Sequence, residues 1–197
     1  MKNILLVIIT VIFCITNPVY AQSEWISLFN GKDLTGWFAR GAADWYVQDS
    51  MLVGEGGLGH IYTDVIVSDF EVKGMFRISG DKTNSGFYFR ASPSEDDPDR
   101  YPIGYEAQIC HNHKAPTGWL WKPAKPTGEA IKVLTKDDEW FTYNIQAIGE
   151  KIKFWINGEM IMKYEDDEFK SGHFAIQVHN PGMRIEAKEL YYRDLAK

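Results

Sequence analysis

Cysteine is nearly absent from this chain: of 197 residues only Cys14 and Cys110 are cysteine. Cys14 sits inside an apolar N-terminal run, so Cys110 stands alone after it, and no intrachain disulfide can hold the fold even in an oxidising compartment. A basic excess is missing too. With 21 Lys and Arg against 27 Asp and Glu, the formal net charge is −6, and no basic stripe is present, which argues against a nucleic-acid partner. Long apolar runs are scarce, and the one that exists, Ile4 to Ile15, is short for a membrane span. No segment sustains a 3.6-residue apolar stripe over three turns, which removes helical folds. The glycine-rich stretch Gly54-Glu55-Gly56-Gly57-Leu58-Gly59, ending at His60, is not followed by Gly-Lys-Ser/Thr and so is no phosphate loop. Its glycines instead let the backbone approach something closely.

What is present begins with a leader. Lys2 supplies a positive n-region, Ile4 to Ile15 an apolar h-region, and Val19-Tyr20-Ala21 a small residue at a cleavage point before Gln22. Residues 1–21 read as a secretory signal, with a retained N-terminal anchor as the alternative; removal of the signal would place the mature protein in the periplasm or outside the cell with no membrane span. Phe13 before Cys14 is not the small residue that a lipoprotein signal requires. Residues 22–197 are enough for one well-buried domain and short for two.

Turn signals recur at Asn30-Gly31, Gly54 to Gly59, Ser79-Gly80-Asp81, Asn157-Gly158 and Ser171-Gly172, and the runs between them alternate or are rich in aromatics. The clearest hairpin joins Lys151–Ile156 to Glu159–Tyr164 through Asn157-Gly158, a pair suited to the positive φ angles of a type I′ turn. Ile152, Phe154 and Ile156 are its inward residues, with Trp155 on the other face. About ten such strands in one domain favour an all-β fold of two antiparallel sheets packed face to face. Residues 91–103 and 111–136 are long irregular stretches, a length often given to binding sites.

Three strands carry unusual polar groups. Alternation in Asn84-Ser85-Gly86-Phe87-Tyr88-Phe89-Arg90 puts Asn84, Gly86, Tyr88 and Arg90 on one face. In Gly104-Tyr105-Glu106-Ala107-Gln108-Ile109 it puts Glu106 with Gln108, and in Phe174-Ala175-Ile176-Gln177-Val178-His179 it puts Gln177 with His179. An amide, a guanidinium, a carboxylate and an imidazole together make a polar binding face. Each has a plainer reading. Glu106 could be the ion-pair partner of Arg90 or Arg77; Arg90 could be a solvent-facing strand end leading into Glu95-Asp96-Asp97; His179 could cap its strand before Asn180-Pro181-Gly182. His111 and His113 form an H-x-H pair that on a strand would suit a metal such as zinc, or else pack in the following loop. A divalent metal ion is therefore left open as a cofactor, with no ligand set assigned. Of the seven tryptophans, Trp119 and Trp121 follow the Glu106 strand and are the two assigned to stacking on a sugar ring, whereas most tryptophans in a sandwich are core.

The blocks Ser27-Leu28-Phe29-Asn30-Gly31-Lys32-Asp33-Leu34-Thr35-Gly36-Trp37, Trp45, Gly56-Gly57, Asp69-Phe70-Glu71, Asn84-Ser85-Gly86 to Arg90, and Gly104 to Ile109 resemble the 3-keto-disaccharide hydrolase family, from about Trp25 to Leu195. The resemblance implies a concanavalin A-like jelly roll that acts on glycosides already oxidised at C3. It also implies that Asn84, Arg90, Glu106, Gln108, Gln177 and His179 line the concave face, while Cys110-His111-Asn112-His113 departs from the family, where an acidic residue commonly follows. Glu106, Arg90 and His179 are the catalytic candidates; Asn84, Tyr88, Gln108, Gln177, His60, Trp119 and Trp121 are the candidates for binding a small carbohydrate. Ordinary glycoside hydrolysis needs two carboxylates. Here Glu106 is the one strand carboxylate placed on the face, with Glu71 admitted by its own alternation. A 3-keto sugar relaxes that need, because the ketone acidifies the C2 hydrogen and lets the C1 substituent leave by elimination, so one base and an electrophile suffice. The competing readings are a non-catalytic carbohydrate-binding module and a structural domain of the envelope.

Overall fold

Alternation of aromatic and polar residues builds every layer. The computed structural model describes residues 23–95, 97, 101–111, 113–123 and 125–196; the leader expected at 1–21, with Cys14, lies outside them, as do Asp96 and Asn112. Among the described residues there are strands and no helix: β1 (Ile26–Ser27), β2 (Trp37–Gln48), β3 (Met51–Val67), β4 (Phe70–Gly80), β5 (Asn84–Ser92), β6 (Ile103–Cys110), β7 (Leu120–Lys122), β8 (Lys125–Gly128), β9 (Phe141–Ile148), β10 (Lys151–Ile156), β11 (Glu159–Glu165), β12 (Gly172–Val178) and β13 (Met183–Asp194). The ladder runs β11-β10-β9-β4-β13-β3-β12-β5-β6-β7-β8, with β2 on β3 and β1 on β13, and the pairings are antiparallel.

This continuous ladder folds over on itself. β4 and β5 are separated by three strands, roughly 19 Å if the sheet were flat, yet the Phe70 and Phe89 rings lie 5.8 Å apart and Phe76 lies 5.4 Å from Phe87. The fold-over occurs in β3, whose Leu52–Glu55 pair with β13 in the back layer while Gly59–Val67 pair with β12 in the front layer. The result is the expected all-β, two-layer antiparallel jelly-roll sandwich. Phe70, Phe76, Phe87, Phe89, Phe154 and Phe174 are all buried between the layers and meet edge-on or stacked, geometries that aromatic pairs favour. The hairpin forms as expected, with Asn157 and Gly158 at φ 51° and 78° and Ile152, Phe154 and Ile156 fully buried.

Two expectations are corrected. Gly54 to Gly59 is not a turn but the middle of β3, where β2 lies across it. A side chain at Gly54 would collide with the Trp45 ring, and one at Gly59 with Ala43, so these glycines admit the overlying strand. His60 is therefore a strand residue. The second correction is Arg90. It takes φ 48° and a register shift falls between Phe89 and Ser92, and this bulge breaks the alternation and turns its side chain off the polar face. The buried guanidinium donates to Ser68 O (2.7 Å), Gly149 O (2.9 Å), Phe169 O (3.2 Å) and Asp69 Oδ1 (3.1 Å). One side chain thus ties together three separate turns.

Two stability measurements follow. Arg90→Lys keeps the charge but cannot reach four acceptors in a fork, so equilibrium denaturation should show a loss of about 3 kcal/mol or more; a loss under about 1 kcal/mol would mean that the turns hold without it. Trp37, buried with its Nε1–H donating to Leu28 O at 2.8 Å, should cost about 3–5 kcal/mol as Trp37→Ala.

Candidate functional site

The outward side chains of the front layer share one face because the register aligns them. Gln177 sits opposite His60, Tyr88 opposite Glu106, and Glu106 opposite Trp121. Asn84, Tyr88, Glu106, Gln108, Trp121, Gln177 and His179 line a cavity of about 370 Å³, closed at its rim by Tyr101, Pro102, His113, Lys122 and Pro123. The volume suits a small ligand. His60, outside this lining, is fully buried beside Gln177, its partner across the β3–β12 ladder. Trp119 is outside the lining: its carbonyl accepts from the Gln108 N–H at 2.9 Å, so of the two loop tryptophans only Trp121 faces the cavity. Arg90 is absent from it, for the reason already given, and Glu71 lies on the back layer, bonded to Arg193 and Asn144.

Glu106 is the electrostatic centre. Its neighbours on both sides are hydrogen-bonding and neutral: the Tyr88 hydroxyl bonds to it, and Gln108, with its amide nitrogen turned toward the acceptors around it, donates to Glu106 Oε1 at 2.9 Å and to Ser85 O at 3.0 Å. Neither arginine weighed as its partner is there, since Arg77 pairs with Glu186 and Arg90 with Asp69. No cation pairs with Glu106 among the described residues. Desolvation is therefore uncompensated and pushes the carboxyl up to about 8, against a smaller lowering by the Tyr88 hydrogen bond. Gly86 makes room for the group, as any Cβ there would collide with Glu106 Oε1.

The other ring groups surround this carboxyl. His60 is kept neutral, its imidazole pulled down to about 4 by burial and by His179. His179 is also lowered by burial, and its Nε2 lies 3.1 Å from the Tyr101 hydroxyl, the two rings stacked at 5.8 Å. Lys122 is held by Asp166 and Glu168, each at 2.7 Å, which neutralises it at the rim. Trp121 Nε1, His179 Nδ1 and Gln177 Oε1 are buried with no hydrogen-bond partner among the described residues. Buried polar atoms are rarely left so, and these three belong to side chains that line one cavity.

A metal does not fit this donor set. Among the described residues no three His, Cys, Asp or Glu converge, and the H-x-H pair diverges: His111 bonds to Asp137 (2.6 Å) and Thr135 (2.7 Å), while His113 turns to the rim beside Trp121.

Tyr101 was missed by sequence reasoning, because it lies in an irregular segment where alternation says nothing. Gly86 was placed on the polar face, but its part in making room for Glu106 was not read from the missing side chain opposite Gln108.

The burial of Glu106 has a measurable thermodynamic signature. The folded protein binds this proton more tightly than the unfolded chain, so the stabilisation is complete below pH 4.5 and is lost as pH rises toward 8. Thermal unfolding of Glu106→Gln across pH 4.5 to 8 should therefore fall less steeply than that of the parent; parallel curves would mean that Glu106 titrates normally.

Residues 24–196 match the model of the 3-keto-alpha-glucoside-1,2-lyase-like domain. Among solved structures, a protein of Parabacteroides distasonis provisionally described as a glycosyl hydrolase superposes with a TM-score of 0.74 at 21% identity, over 87% of this chain and 94% of that one. The carbohydrate-binding module CBM66 of Bacillus subtilis gives 0.66 at 15% identity, over 81% and 96%, and the Emp46p carbohydrate recognition domain gives 0.69 at 10% identity, over 88% and 100%. At these identities the structures speak for the fold, a concanavalin A-like sandwich. A comparison with curated proteins gave no match. From residue 24 to residue 196 this chain belongs to the family of 3-keto-alpha-glucoside-1,2-lyase-like domains.

Proposed function

We propose that the front-face cavity cleaves the glycosidic bond of a neutral 3-keto-glycoside by elimination, with Glu106 as the base. The observation that carries this reading is the single uncompensated carboxyl among the described residues that line the cavity, in a chain of a lyase-like family. The ionised Glu106 takes the C2 hydrogen as a proton, and the C–H electrons move into an enolate whose charge rests on the C3 oxygen. The enolate then collapses, forming the C1–C2 double bond as the C1–O bond breaks, and the departing oxygen collects a proton. Addition of water to the unsaturated ketone completes a net hydrolysis.

The cavity supplies the remaining roles. Trp121 Nε1–H, unpartnered, and the Asn84 amide are donors for a developing oxyanion. The Tyr101 hydroxyl, paired with His179 Nε2, is the proton source for the leaving oxygen. A carboxyl near 8 is mostly protonated at neutral pH, but its ionised fraction is a stronger base than an ordinary carboxylate and holds the proton once taken. The apolar leader adds the proposal that this chemistry takes place in the periplasm or outside the cell.

Glu106→Gln keeps shape and hydrogen-bonding capacity, so it should bind a 3-keto-glucoside while turnover falls by about 100-fold or more. It should also abolish exchange of the substrate C2 hydrogen with deuterated water. Binding by the parent protein without any turnover would select a carbohydrate-binding module instead. A second measurement concerns pH. Because burial lowers both His60 and His179, Glu106 is the group expected to govern the profile around neutral pH, with kcat/KM rising tenfold per unit below about pH 8 and levelling above. A flat profile from pH 6 to 9 would exclude Glu106 as the base.

A further inference from the structure

Trp155 stands on the face of the sandwich opposite the cavity. Phe154 beside it is fully buried between the layers, so Trp155 looks out from the back layer, and the strand register sets a row of side chains next to it. Trp155 pairs with Asn144 on β9, Asn144 with Lys73 on β4, and Lys73 with Tyr191 on β13. Three strand spacings put about 14 Å between the aromatic ends of this row. A second row runs alongside it, made of Lys153, Gln146, Glu71 and Arg193 in the same strand order. Both rows line one groove of about 760 Å³.

The polar groups of this groove are only partly used. Glu71 accepts from Arg193 Nε at 3.0 Å and from the Asn144 amide nitrogen at 3.0 Å. Asn144 Oδ1 is then buried with no hydrogen-bond partner among the described residues, a state in which buried polar atoms are rarely left. Neither Lys73 nor Lys153 has a carboxylate within ion-pair distance among the described residues. Lys73 Nζ lies 4.1 Å from the centre of the Trp25 ring and 5.9 Å from that of Tyr191, contacts that place the ammonium yet leave its N–H donors for an anion. With Arg193, these lysines outnumber the groove's carboxylates, Glu71 and Glu189, in a chain whose net charge is −6.

We propose that the back-face groove binds an acidic oligosaccharide, with Trp155 stacked on a sugar ring, Lys73 and Lys153 beside uronate carboxylates, and Asn144 Oδ1 accepting from a hydroxyl. The row supplies all three kinds of contact along one line. An excess of a single positive charge is too small for a polyphosphate backbone, whose binding rests on several phosphate contacts. A lipid surface is a poorer match, because Trp155 is half-buried in a groove and does not protrude as an interfacial anchor does. The groove and the front cavity face opposite ways, so each can hold a ligand while the other is occupied.

Calorimetric titration of the intact protein with a galacturonic acid pentamer at low salt tests this without any 3-keto sugar. The pentamer should bind, and Trp155→Ala should weaken it by about tenfold or more, as loss of an aromatic anchor does. Lys153→Glu should weaken it by a similar factor and keeps the test open if Trp155→Ala fails to fold. Cellopentaose, of equal length but neutral, should bind about tenfold or more weakly than the acidic pentamer. Trp121→Ala, in the front cavity, should leave the pentamer affinity unchanged, and Trp155→Ala should leave turnover of a 3-keto-glucoside unchanged. No binding at millimolar pentamer would overturn the proposal. So would equal binding of polyglutamate, which would reduce the site to charge attraction, or a loss of affinity in Trp121→Ala and not in Trp155→Ala, which would put the pentamer in the front cavity.

Discussion

Phe87 and Phe174 stack at 5.8 Å between the two layers, and that contact leaves their sequence neighbours no choice of side. In a strand the residue next to a core aromatic faces away from the core, so Tyr88 and Ala175 must stand on the front face, and the buried Ile176 and Val178 send Gln177 there in the same way. Phe89 and Ala107 act on Tyr88 and Glu106 in the same way. The polar site is thus the reverse side of the aromatic core. Because a shift of one residue would exchange the two faces, the packing that stabilises the sandwich also holds the site's composition.

Glu106 differs from the other little-exposed carboxylates on these sheets in what surrounds it. Glu71 has Arg193, and Glu186 has Arg77 and Arg184. Those pairs are structural, and their guanidinium groups offset the cost of burying the carboxylates. Glu106 is given hydroxyl, amide and indole neighbours in place of a guanidinium, which supports hydrogen bonding but leaves the cost of burying charge in force. A site that keeps its carboxyl unpaired spends stability, and that sacrifice is characteristic of functional positions.

Much of this was legible from alternation alone. Asn84, Tyr88, Glu106, Gln108, Gln177 and His179 are brought to one cavity because each lies in a run where period two is unbroken. The reading failed where the period breaks. At Arg90 a residue with positive φ starts a bulge, and nothing in Phe89-Arg90-Ala91 announces it. His60 looked like the end of a glycine loop because glycine runs usually mark turns, whereas here they admit β2 across a long strand. Trp119 and Trp121 share one irregular stretch, and only pairing of β7 with β6 separates them. Tyr101 carried no signal at all, since its place over His179 is a tertiary fact. The fold class needed only the recurrence of strands and turns, and so survived these local errors.

The guanidinium of Arg90 joins the turns at Ser68–Asp69, Gly149 and Phe169, segments separated by up to about a hundred residues of chain. Such a knot can close only after both layers have docked, since each carbonyl comes from a different hairpin or crossover. Contacts formed that late are absent from the folding transition state, and interactions of this kind govern the rate of unfolding more than the rate of folding. Arg90 therefore works as a kinetic latch: it contributes little to how quickly the sandwich assembles and much to how long it stays assembled.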